Sequence, residues 1–156
     1  MREEANRQGI SINALTNKIL QNYDQHWRWA ERFGAVFLTR QTIARIIGCC
    51  PEARIVQIAK ISGSAGAKDA LRTMGISPTY QNLVKFAKNN MGTFGNWFDY
   101  SQHTRGKKEI IHLRHELGKN WSLFIANQVS TMFESILSKT VKSEIFDNSA
   151  TLELTI

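Results

Sequence analysis

Apolar residues of this chain recur every three or four positions up to about residue 91, and every second position over most of the C-terminal part. A spacing of three to four puts side chains on one face of a helix, whereas alternation puts them on one face of a strand. One long exception interrupts the alternating part. Trp121, Phe124, Ile125, Gln128, Val129, Met132, Phe133 and Ile136 form a single helical stripe, with Asn120 placed to cap it. Alternating segments flank this stripe on both sides. Before it lie 93–100 and 109–117, separated by the polar stretch 102–108. After it lie 141–146 and 152–156, joined by the turn Asp147-Asn148-Ser149. Two hairpins around a long amphipathic helix predict an α+β fold. The full expectation is an N-terminal helical pair, then short helices, then a four- to five-stranded antiparallel sheet packed against a long C-terminal helix.

The middle of the chain reads as a series of short elements. Phe33 to Leu38 is a compact apolar run suited to a buried strand. Thr39 can cap a helix with Ile43, Ile46 and Ile47 inward, stopped by Gly48 and Pro51. A helix over 51–61 would bury Ile55, Ile58 and Ala59. Ser62 to Gly66 has the composition of a loop. Helix 67–74 should end at Gly75, and Ser77-Pro78 reads as a cap and first turn for a helix burying Leu83, Phe86 and Ala87. The division expected is 1–32 as a helical segment and 33–156 as an α+β domain for ligand binding or oligomerisation.

Composition narrows the class. With 42% hydrophobic and 21% charged residues, the chain falls among folded globular proteins rather than disordered ones. No apolar run approaches the roughly 20 residues that span a bilayer, and the polar N-terminus lacks the apolar centre of a signal peptide. A cytoplasmic protein without a membrane partner is expected. The formal charge of +7 favours an anionic partner. Lys85, Lys88, Arg105, Lys107, Lys108, Arg114 and Lys119 carry much of it, either as a solvated face or as a phosphate-contacting one. Cys49 and Cys50 are adjacent, a spacing that rarely closes an unstrained disulfide, so two reduced thiols are expected.

Glu3 to Gln8 forms a first helical segment closed by Gly9, and Ser11 stands where a side-chain oxygen caps the next helix. Ile12, Leu15, Ile19 and Tyr23 then make one apolar stripe. The string REEANRQGISINALTNKILQNY resembles the end of helix A, the turn and helix B of the ribbon-helix-helix family of transcription regulators. Ala5, Gly9, Ile10, Ser11, Asn13, Leu15, Ile19, Leu20 and Tyr23 carry the likeness, which covers residues 1–25. It implies a homodimer whose helix starts face DNA phosphates, as helix N-termini do. Ser11, Ile12 and Asn13 would be the phosphate-anchoring positions, and Ile12, Leu15 and Ile19 the dimer core. In that family the strand that reads base edges precedes helix A, which here corresponds to positions before Met1. The resemblance therefore implies a DNA-binding regulator with a C-terminal sensory or oligomerisation domain. The alternative is a dimeric interaction protein without the DNA-reading strand.

Little in the remainder points to catalysis. Ser62 to Gly66 lacks the strand-to-helix setting of a nucleophile elbow and the lysine of a phosphate loop. On a strand over 109–117, His112 and His115 would face opposite sides and could not share a metal ion. His115 would then lie on the apolar face with Ile111, Leu113 and Leu117, as a hydrogen-bonded core histidine or a ligand contact. Together with Trp97, Trp121 and Phe124 it makes a candidate pocket for a small molecule. Residues 92–156 distantly resemble the vinyl-reductase-type and heme–nitric-oxide-binding sensor domains in element order, without a diagnostic motif. No cofactor, no metal site and no enzymatic activity are expected.

Overall fold

The computed structural model describes residues 1–155. They divide into two compact units, Met1–Val36 and Phe37–Ile156. The first is helical, with α1 (Arg2–Gln8), α2 (Ile12–Asn22), a π-helical turn over Tyr23–Trp27 and α3 (Arg28–Arg32). Gly9 closes α1 at φ +65°, the left-handed conformation that glycine adopts without a Cβ clash. Its amide and that of Ile10 turn back to the carbonyls of Asn6 and Ala5. This pairing satisfies two carbonyls that the helix end would otherwise leave free.

The second unit runs α4 (Arg40–Gly48), α5 (Glu52–Ile61), α6 (Ala67–Met74), α7 (Tyr80–Lys85), β1 (Asp99–Arg105), β2 (Lys108–Arg114), α8 (Lys119–Leu137), β3 (Val141–Ile145) and β4 (Ser149–Thr155). The strands form one antiparallel sheet in the order β1-β2-β4-β3, so the two hairpins meet along β2 and β4. Ile111 stands opposite Leu152 and Leu113 opposite Ala150 on that seam. These residues, with Leu154 and Val141, present one apolar face. The helix α8 supplies the opposing layer through Trp121, Ile125, Val129, Met132 and Phe133. The fold is α+β with four strands and a long C-terminal helix, as the change of period implies.

Several local expectations are corrected. Phe33 to Leu38 forms no strand, and Val36, Phe37 and Leu38 are exposed. A short apolar run has no strand identity until an edge accepts it. The unit boundary falls inside that run. Ile46 and Ile58 are exposed, while Ile43 and Ile47 pack on the core and Ile55 and Ala59 are buried. The helix after Pro78 begins at Tyr80 with Thr79 as its cap, its Oγ1 accepting from the Asn82 amide. Segment Phe86–Phe94 continues that helix as a π-helical stretch, and β1 starts only at Asp99. The first hairpin turn shrinks to Gly106 and Lys107, between the partnered residues Arg105 and Lys108. The helix α8 is capped at Gly118, leaving the Asn120 amide group to donate to the Ile47 carbonyl at 3.1 Å.

Ser62–Gly66 is the most instructive correction. It is a π-helical turn joining α5 to α6, not a loop. A Cβ on Gly63 would overlap the Gln128 carbonyl oxygen of α8 and come within 3.0 Å of Thr131 Cβ. Gly63 is therefore glycine because two backbones touch there. Gly66, by contrast, is helical, and a Cβ would find its nearest neighbour at 3.9 Å. We expect Gly63→Ala to cost about 1–3 kcal/mol through overpacking, and Gly66→Ala to stabilise by about 1 kcal/mol through helix propensity. Urea denaturation of both variants separates close packing from loop freedom, which would make the two glycines equally tolerant.

Candidate functional site

The turn between α1 and α2 is built from the chain's own capping chemistry. Ser11 is extended, at φ −70° and ψ 157°, and its Oγ accepts from the Ala14 amide at 3.1 Å. The first-turn amides of Ile12 and Asn13 have no acceptor within the helix by virtue of their position. Ser11, Ile12 and Asn13 are all exposed, so this helix start is open to solvent. Lys18 Nζ donates to Gln8 Oε1 at 3.1 Å and ties the two helices together. The apolar stripe divides by depth. Leu15 is buried at 3% exposure, whereas Ile12 and Ile19 stand 41% and 48% exposed, with Leu20 and Tyr23 also uncovered. Leu15 thus belongs to the interior of the single chain, and Ile12 and Ile19 remain as a surface.

In the second unit, His115 lies one residue beyond the end of β2 rather than on it. It is buried at 8% exposure. Its Nδ1 accepts from the Leu117 amide at 3.0 Å, which assigns the ring proton to Nε2. Nε2–H then donates to Ser122 Oγ at 2.8 Å, and the Ser122 hydroxyl donates to the Asp147 carbonyl at 3.2 Å. The chain of bonds joins the β2 end, the first turn of α8 and the turn after β3. Burial first, and the Arg40 guanidinium second, push the imidazole down to about 4. His115 is a neutral structural link at this corner. His112 faces the other side of the sheet, bonded to Thr151 Oγ1 at 3.1 Å and stacked on His103 at 5.4 Å. Among the described residues no group of three or more His, Cys, Asp or Glu side chains is placed to hold a metal ion.

The aromatic residues of the expected pocket pack on one another. Trp121 stacks on Phe124 at 5.2 Å and meets Trp97 edge-on at 5.5 Å, while its indole N–H donates to the Trp97 carbonyl. Their rings form a cluster and line no part of the pocket beside His115. That pocket, of about 340 Å³, is lined by Arg40, Asp99, Arg114, His115 and Glu116. Arg40, Asp99 and Glu116 were not singled out as a site in the sequence, and Arg114 was named only within the basic stretch. They come from the start of α4, the start of β1 and the end of β2, and only the antiparallel register brings Asp99 opposite Arg114. No periodicity could have revealed that grouping.

No family model matches the chain, and no curated protein is similar to it. Among the described residues no helix is long and apolar enough to cross a membrane.

The His115 environment sets a pH dependence. The ring is held neutral in the folded state, whereas in the unfolded chain it takes up a proton near 6.5. Its contribution to stability is complete above that value and is lost as pH falls toward about 4. Urea denaturation at a series of pH values should show His115→Gln with a flatter profile than the parent across this window. Equal slopes would mean that the imidazole does not titrate with unfolding.

Proposed function

We propose that the chain is a DNA-binding transcription regulator of ribbon-helix-helix type, dimeric through its N-terminal helices, whose C-terminal unit is a sensory or oligomerisation domain. The observation that carries the reading is the turn at residues 9–13. A left-handed glycine, an extended capping serine and an open helix start occur together on a unit that leaves Ile12 and Ile19 uncovered. Free first-turn amides and the helix dipole favour a phosphate group there. The net charge of +7 favours the same polyanion. A second copy of the same helix would cover Ile12 and Ile19, because a two-fold interface sets identical patches against each other. A cytoplasmic location goes with this reading.

The test uses the full chain and mixed-sequence duplex DNA, titrated at increasing salt. Binding should weaken steeply as salt rises, because phosphate contacts release counterions. Asn13→Asp adds an acid to the first turn, which favours the helix itself, yet it should weaken DNA binding about tenfold by repelling phosphate. Ile19→Glu should convert a dimer into a folded monomer in sedimentation, because this side chain is half exposed in the single chain. A stable dimer that ignores duplex DNA at low salt would establish the interaction protein instead.

A further inference from the structure

The pocket beside His115 combines charges of both signs that do not neutralise one another. Arg40 and Arg114 bring two guanidinium groups, and Asp99 and Glu116 bring two carboxylates. Asp99 and Arg114 are direct cross-strand partners, the arrangement in which opposite charges ordinarily pair. Yet no ion pair within 4.0 Å joins any of the four, among the described residues. Arg40 is instead held by Asn96, whose Oδ1 accepts from Nη2 at 2.6 Å, leaving its other N–H groups uncommitted. Arg114, Asp99 and Glu116 make no side-chain hydrogen bond among the described residues.

The wall between them is rigid. His115 is clamped on both ring nitrogens, and Glu116 follows it directly in the chain. Gly118, two residues further on, is anchored by its amide to Asn148 Oδ1 at 3.0 Å. The four charged side chains line this concave space and are themselves exposed. Such a space is complementary to a molecule that carries both charges itself. Guanidinium groups match a carboxylate with two parallel N–H bonds. Carboxylates accept from an ammonium group, which has three donors and no acceptor.

We propose that this pocket binds a small zwitterion of the α-amino-acid class, its carboxylate on Arg40 and Arg114 and its ammonium on Asp99 and Glu116. The two pairs cancel in net charge, as does the ligand. The volume of about 340 Å³ is at the small end of ligand pockets, which suits a molecule of a few heavy atoms. Neutral His115 adds a surface without charge, so the ligand's ammonium meets no third cation at ordinary pH. The proposal rests on reading the C-terminal unit as a sensory one and names the class of molecule sensed.

The test is isothermal calorimetry and thermal melting of the full chain with each of the common L-amino acids. Acetate, methylammonium and inorganic phosphate serve as single-charge probes. One or more amino acids should bind, and neither acetate nor methylammonium should do so at the same concentration. Arg114→Gln and Asp99→Asn should each weaken that binding about tenfold or more, the weight of one charge-assisted bond. Both variants should melt as the parent does without ligand, because neither side chain has a partner among the described residues. No binding by any amino acid would overturn the proposal. Equal binding of acetate or phosphate that survives Asp99→Asn would overturn it too, as a plain anion site, and so would binding that survives both substitutions. DNA binding measured on the same samples keeps the two readings apart. Amino-acid binding without DNA binding sinks the regulator, and the converse sinks only the zwitterion.

Discussion

The packing of α8 across the apolar face of the sheet is the contact on which the larger unit depends. Ile125, Val129, Met132 and Phe133 are buried on one side, and Ile111, Leu113, Leu152 and Leu154 on the other. Each layer covers the other, since an isolated helix is marginal in water and the sheet without α8 would expose its apolar face. The opposite edge of α8 then receives the continuous helix through residues 52–74. Gly63 lets the two backbones meet at Gln128. Tight packing there leaves no freedom for a hinge, so Gly63 serves closeness rather than motion.

That same helix organises the corner around His115. Its first turn carries Ser122, which relays the His115 proton bond to the Asp147 carbonyl, and Asn120, which reaches the end of α4. The end of β2, the turn before β4 and the end of α4 are thereby gathered around one point. A pocket lined by charges from three separate elements depends on long-range packing of this kind, not on any local motif. The N-terminal unit is organised differently, by local capping alone. Gly9 and Ser11 determine the turn between α1 and α2 through bonds spanning only a few residues.

This contrast explains what the sequence disclosed. Features governed by near neighbours were legible: the left-handed Gly9 and Gly75, the caps at Ser11 and Thr39, the α8 stripe and the C-terminal hairpin. Features governed by distant partners were not. The run Phe33 to Leu38 reads as a strand by composition, but no sheet edge accepts it. Gly63 reads as loop because contact with Gln128, far along the chain, leaves no local trace. Trp97, Trp121 and Phe124 were correctly expected near one another, yet their rings fill the space they were expected to enclose. Arg40, Asp99, Arg114 and Glu116 carry no pattern at all until the register of β1 and β2 is known. Leu15 and Ile19 look equivalent on a helical wheel and differ because one is inside the single chain and the other is not.

The proposed nucleic-acid contact lies on the first unit and the proposed ligand contact on the second, and the start of α2 is where the chain is proposed to meet DNA. Backbone amide hydrogen exchange, compared with and without duplex DNA at low salt, locates that contact residue by residue. Slowed exchange at Ile12 to Ala14 on adding duplex, with the amides of β1 and β2 unchanged, is the predicted result. Protection that emerges instead along β1 and β2, with the start of α2 unaffected, would contradict it.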